Sequence, residues 1–102
     1  ENTLLESEID ENDYHQSIEL ISDLFKKAKL VHGDFSEYNI FKTKNGLKLF
    51  DLGSAVDTTH PNTMNFLKRD INNITNFFVK RGLTVENPAD ILERITKWAL
   101  KN

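Results

Sequence analysis

The stretch Leu30-Val31-His32-Gly33-Asp34-Phe35-Ser36-Glu37-Tyr38-Asn39-Ile40, followed by Asp51-Leu52-Gly53, decides how this chain is read. Leu30-Val31 is a short apolar step into a polar run, His32 to Asn39, which has the composition of a loop. Ile40 to Lys42 and Leu47 to Phe50 are short strand-like runs. Asn45-Gly46 between them is a hairpin signal, because both residues tolerate positive φ. Antiparallel pairing about that turn sets Asn39 or Ile40 opposite Asp51, so the loop and Asp51 meet at the open end of the hairpin.

Three oxygen-bearing side chains converge there: Asp34 in the loop, Asn39 five residues later, and Asp51 on the second strand. Asn39 and Asp51 suit a hard cation such as Mg²⁺ (or Mn²⁺), which keeps water and phosphate oxygens as its other ligands. Asp34 is the candidate to accept or orient a proton from a nucleophile, since a carboxylate within hydrogen-bond reach serves as a base without joining the metal. An isolated H-x-D is usually a turn or a cap, and D-x-G alone is any exit from a strand. In order, H-x-D-x-x-x-x-N and then D-x-G match the catalytic and metal loops of protein kinases. His32 is better read as a packing and hydrogen-bonding support for the loop than as a chemical group.

On the N-terminal side, Tyr14, Ile18, Ile21, Phe25 and Ala28 recur at spacings of 4, 3, 4 and 3. They predict an amphipathic helix over 14–29 whose terminal lysines, Lys26, Lys27 and Lys29, suit the negative end of the helix dipole. Residues 1–13 hold six acidic and no basic side chains and read as a solvated lead-in. On the other side, Pro61 suits the first turn of a helix, and Met64, Leu67, Ile71, Ile74 and Phe78 predict a central helix over 61–81, stopped at Arg81-Gly82. Asn87-Pro88 with Asp90 opens a last helix over 88–101, with Ile91, Leu92, Ile95, Trp98 and Ala99 on its inner side.

The chain is 102 residues long with a net charge of −3, which offers neither a strong field for nucleic acid nor a disorder-grade charge imbalance. It has no cysteine, which excludes disulfides and thiolate zinc sites and fits an intracellular protein. No apolar run approaches the roughly 20 residues that cross a bilayer, so a cytoplasmic protein without membrane contact is expected.

Residues 30–81 resemble the RIO kinase family in Leu-Val-His-Gly-Asp-Phe-Ser-Glu-Tyr-Asn-Ile, Asp-Leu-Gly-Ser-Ala-Val, His-Pro-Asn, Phe-Leu-Lys-Arg-Asp-Ile and Phe-Phe-Val-Lys-Arg-Gly. The Ser36-Glu37-Tyr38-Asn39 form is closer to the first RIO subfamily, in an archaeal-like version, than to the one with a winged helix. Ser54 departs from the glutamine usual before the Ala-Val pair. Only nine residues separate Asp51 from Pro61, too few for the activation loop and peptide platform of a conventional kinase. Gly33 also stands where an arginine usually follows the catalytic-loop histidine.

The resemblance implies an α+β fold, the C-terminal lobe of a kinase-like fold, mainly helical with a catalytic-loop β-hairpin. It implies an ATP-dependent protein serine/threonine kinase or ATPase of small-ribosomal-subunit maturation, with ATP as substrate, Asn39 and Asp51 as metal ligands, and Asp51 able to become phospho-aspartate. Ser36 stands near the transferred phosphate in this match or holds the loop. Phe41 lies under adenine or is a hairpin core aromatic. Asp70 is expected to accept hydrogen bonds from backbone amides around His32 and Gly33. Nothing matches an N-lobe: there is no Gly-rich loop, and Lys26, Lys27 and Lys29 sit at a helix end, so the ATP-anchoring lysine is not among these residues. The expected partners are that N-lobe, ATP, and a protein substrate or the pre-ribosomal small subunit. A lobe of this kind alone is expected to turn over little. Two rival readings are a small-molecule phosphotransferase of the aminoglycoside or choline kinase type and a non-catalytic assembly module.

Overall fold

The computed structural model describes residues 2–49, 53 and 55–101, and of residues 98–101 the backbone only. Among the described residues three α-helices carry the fold: α1 (Glu11–Lys27), α2 (Thr63–Lys80) and α3 (Pro88–Lys101). Five short strands accompany them there: β1 (Asn2–Thr3), β2 (Leu30–Val31), β3 (Ile40–Thr43), β4 (Gly46–Leu49) and β5 (Val56–Asp57). They form a three-stranded antiparallel sheet in the order β1-β3-β4 and an antiparallel pair β2-β5.

Helix α1 begins three residues before Tyr14, at a reciprocal cap. Asp10 Oδ1 accepts from the Asp13 amide at 3.0 Å and Asp13 Oδ2 accepts from the Asp10 amide at 3.1 Å, which satisfies donors that every helix start exposes. Apolar periodicity cannot register this turn because its residues are polar. Lys42 reaches the same Asp13 carboxylate at 2.9 Å and ties the hairpin to the helix start. Tyr14, Ile18, Ile21 and Phe25 enter the core as their spacing predicts, whereas Ala28 is exposed beyond the last turn.

The lead-in is not simply solvated. Leu4 is 0% exposed, Asn2 and Thr3 pair with Lys42 and Phe41, and the Arg81 guanidinium donates to the carbonyls of Leu5 and Ser7 while lying over the Phe77 ring. A single buried leucine and a cationic strap order the segment despite its acidic composition. Residues 8–12 remain exposed or half-buried, as a polar approach to the helix should be.

Helix α2 starts after Asn62 rather than at Pro61, which lies in the preceding turn. Leu67, Ile71, Ile74 and Phe78 are buried, while Met64, in the first turn, is 47% exposed. The helix ends as its Arg81-Gly82 stop predicts. Gly82 takes φ +90°, its amide donates to Val79 O at 2.9 Å, and the Leu83 amide donates to Phe78 O at 3.1 Å, the paired bonds of a Schellman motif. Asn87 opens α3 through a 2.9 Å bond from the Ala89 amide to its side chain, and Ile91 and Ile95 bury against the rest of the core.

The hairpin differs from its expected register. Lys44 and Asn45 form the connection, Thr43 pairs with Gly46, and only Gly46 takes positive φ, +108°. Thr43 Oγ1 closes the turn by accepting from the Asn45 amide and donating to the Gly46 carbonyl. Ile40 therefore faces Leu49, not Asp51. Asp51 itself lies outside the described residues.

Candidate active site

The loop between β2 and β3 carries Asp34, Ser36 and Asn39 together, and Phe41 follows on β3. Gly33, at φ +85°, turns the chain out of β2, a conformation that a side chain would strain. Phe35 is 0% exposed and anchors the loop in the core, whereas Asp34 beside it is exposed. The base candidate thus faces solvent from a backbone rooted in the core.

Side chains hold both peptide groups that flank the Asp34 α-carbon. In the peptide before it, the Gly33 carbonyl accepts from the Arg69 guanidinium and the Asp34 N–H donates to His32 Nδ1 at 3.1 Å. In the peptide after it, the Asp34 carbonyl accepts from Asn39 Nδ2 at 2.7 Å and the Phe35 N–H donates to Asp70 Oδ1 at 3.1 Å. The other Asp70 oxygen accepts from the Gly33 N–H at 2.9 Å. With both planes pinned, the backbone torsions of Asp34 have little freedom, and the Cα–Cβ bond that carries the exposed carboxylate has a set direction.

His32 is 2% exposed, and its ring stands edge-on to Phe35 with centroids 6.1 Å apart. Because Nδ1 accepts a hydrogen bond, the proton of the neutral ring belongs on Nε2. The ring supports the loop, as expected. Asp70 is 1% exposed, and burial pushes its carboxyl above the ordinary aspartate range, while the Gly33 and Phe35 amides, His32 and Arg69 pull it the other way. Its expected bond to loop amides is present, at Gly33 and Phe35.

The Asn39 amide nitrogen is committed to the Asp34 carbonyl, which fixes the amide plane and gives Oδ1 the acceptor role. An amide oxygen held in one orientation is a hard donor of the kind that Mg²⁺ takes, so this residue fits the proposed ion. Among the described residues no three His, Cys, Asp or Glu side chains cluster as a metal cage. Ser36 makes local bonds: its Oγ accepts from the Tyr38 amide at 3.3 Å and its carbonyl from the Asn39 amide at 3.0 Å. Phe41 is half-buried in the sheet, between Thr3 and Lys48. The segment after Asp51 returns to the loop through β5, where Val56 pairs with Val31 and Leu30 with Asp57.

Asp70 and Arg69 stand 35 to 37 residues from the atoms that they hold. The adjacent Arg-Asp pair on α2 was visible as a pattern, but Arg69 as a partner of Gly33 was not, because an exposed arginine on a helix has many equivalent uses.

A helical body that presents a pinned H-x-D loop and a hairpin is the C-terminal lobe of the protein-kinase-like fold. The Rio2 kinase-ADP/Mg²⁺-phosphoaspartate complex from Chaetomium thermophilum superposes with a TM-score of 0.65 at 25% identity, over 89% of this chain and 32% of that one. A family model described as the RIO domain matches residues 2–91. The probable serine/threonine-protein kinase RIO1 homolog of Encephalitozoon cuniculi is 40% identical over 83 residues, 81% of this chain and 21% of that protein. The RIO-type serine/threonine-protein kinase Rio1 of Thermoplasma acidophilum is 40% identical over 94 residues, 92% of this chain and 49% of that protein. The chain belongs to the RIO domain family of atypical protein kinases. It spans from about a fifth to a half of the length of these curated relatives.

Proposed function

We propose that this chain is the phosphoryl-transfer half of a RIO-type protein serine/threonine kinase or ATPase that uses Mg-ATP. The observation that carries the proposal is the double pinning of the peptides around Asp34, with Asn39 as one of the pins. An exposed carboxylate on a rigid backbone, beside an oriented amide oxygen, is a base and a metal ligand built into one loop.

In this reading Asp34 receives the proton of the attacking serine or water hydroxyl as the γ-phosphoryl group transfers and ADP leaves. Asn39 and Asp51 would hold the ion, which would supply neutralisation of charge on the phosphate oxygens. Asp51 is assigned by its place in the D-x-G motif. The solved relative named as a phosphoaspartate complex supports Asp51 as a transient phosphoryl acceptor during ATP turnover. Ser36 approaches the transferred phosphate once its bond to the Tyr38 amide exchanges, and Phe41 supports adenine from the sheet. The N-lobe, with its lysine, supplies the other side of the nucleotide, so these residues alone bind Mg-ATP weakly.

A cytoplasmic role in small-ribosomal-subunit maturation is carried by the family resemblance and is tested by co-sedimentation of the tagged protein with small-subunit precursors. The central test compares ATP turnover and serine phosphorylation by the complete natural polypeptide with its Asp34→Ala and Asp51→Ala variants. Both substitutions should abolish serine phosphorylation, and only Asp51→Ala should remove an alkali-labile, hydroxylamine-labile phosphoryl adduct. Full activity in Asp34→Ala would sink the reading, and phosphorylation of a small alcohol in place of protein would move it to the small-molecule kinases.

A further inference from the structure

We propose that Arg69 is a positioning residue for Asp34, acting through the Gly33 carbonyl; this rests on the reading of Asp34 as the base.

The soft point of the loop is the Gly33-Asp34 peptide. Glycine at φ +85° has no Cβ to restrict ψ, so this peptide plane can tilt by a coupled change of Gly33 ψ and Asp34 φ, within the range of φ open to the aspartate. Such a tilt would leave Gly33 N and Phe35 N on Asp70 while moving Asp34 N, and with it the direction of the Asp34 Cα–Cβ bond. Asp70 therefore does not restrain it. The bonds that do are at the two ends of that peptide: Arg69 to the Gly33 carbonyl, and the Asp34 N–H to His32 Nδ1. The histidine bond is a neutral contact within two residues. The arginine bond is charge-assisted and comes from α2, whose Leu67, Ile71, Ile74 and Phe78 are buried in the core.

Arg69 is itself held in place although it is exposed. Its guanidinium carbon lies 5.0 Å above the centre of the Phe66 ring, one turn back on α2. Phe66 stacks on His60 with centroids 5.6 Å apart and planes 33° from parallel. His60 is fixed in its turn, with Nδ1 accepting from the Asn62 amide at 3.0 Å. The ring holds the planar guanidinium in one plane, so its donors meet the carbonyl with little loss of rotamer freedom. Lysine has no flat face to hold in this way.

The test uses the complete natural polypeptide with Arg69→Met, which keeps a long apolar stem, Arg69→Lys, and Asp34→Asn. Steady-state kinetics should show kcat for phosphoryl transfer reduced about tenfold or more in Arg69→Met, the worth of one charge-assisted bond, with KM for ATP within about twofold. Arg69→Lys should recover part of the loss. Hydrogen exchange supplies a readout that needs no activity: the Asp34 amide should exchange at least about tenfold faster in Arg69→Met, with the amides of α3 unchanged. Unchanged kcat, or unchanged exchange at Asp34, overturns the proposal. So does a fall in kcat that only tracks loss of folded protein. Transfer activity retained in Asp34→Asn overturns the role of the base instead, and the exchange result then decides whether Arg69 still holds the peptide.

Discussion

Replacing Asp70 with asparagine tests how the loop is held. The carboxylate accepts from two buried amides, Gly33 at 2.9 Å and Phe35 at 3.1 Å, and is 1% exposed, so water does not substitute for it. Asparagine keeps one acceptor oxygen and turns an N–H₂ toward the other amide. One hydrogen bond to a charged group is lost, worth about 1.5–3 kcal/mol, and a buried N–H is left without an acceptor, costing about 1–3 kcal/mol. Relief of the buried charge offsets part of this, since burial raises the Asp70 pKa. A net loss of about 2–4 kcal/mol at pH 7 follows, a large share of the roughly 5–15 kcal/mol typical of a domain. Urea unfolding followed by far-UV circular dichroism should show the midpoint lowered by about 1–2 M at an unchanged slope.

The pH dependence has a definite sign. Because the folded-state pKa is raised, folding favours protonated Asp70, and that contribution is present below the ordinary aspartate value of about 3.9 and lost as pH rises through the higher folded value. The deficit of Asp70→Asn relative to wild type should therefore grow on acidification through that window. A deficit that shrinks instead would show that the two amide bonds outweigh burial. A loss below about 0.5 kcal/mol at neutral pH would refute the account of the loop altogether.

Gly46→Ala should cost about 1–3 kcal/mol in the same urea assay, because φ is +108° and a Cβ would come within 2.9 Å of Gln16 Oε1, which accepts from the Leu47 amide. Leu4→Ala should lose about 2–5 kcal/mol and open residues 2–8 to limited proteolysis, since Leu4 is fully buried; unchanged resistance would mean that the lead-in does not depend on it. Glu86 is held below the usual glutamate range, chiefly by Arg94, which contacts it at 2.6 Å. Its contribution is present above about pH 4.3 and is lost as pH falls through the lower folded value. Both side chains are well exposed, so the effect should be only about 0.5 kcal/mol, weakened by salt and absent in Arg94→Ala.

Much of this site was legible because its signals are local. Asp34 and Asn39 lie five residues apart in one loop, and the 3.6-residue period of Leu67, Ile71, Ile74 and Phe78 marks the buried face of α2. The start of α1 was missed where its first turn is polar, and Leu4 was missed because one leucine among acidic residues carries no period. The turn was displaced by one residue because Asn-Gly scores well for a turn in which both residues take positive φ. Here Gly46 alone does, after Lys44-Asn45.

By itself, then, the sequence determined the order of the three helices and the hairpin, the loop proposed to bear the chemistry and the family to which the chain belongs, all of which depend on spacing within a few residues. Only the tertiary structure decided how Asp34 is aimed. The groups that hold its backbone include Asp70 and Arg69 on α2, brought across 35 to 37 residues by burial of Phe35, Ile71 and Ile74 in one core. Hydrophobic burial is non-directional and specifies that α2 packs under the loop, whereas the hydrogen bonds that follow are directional and specify the conformation of each peptide.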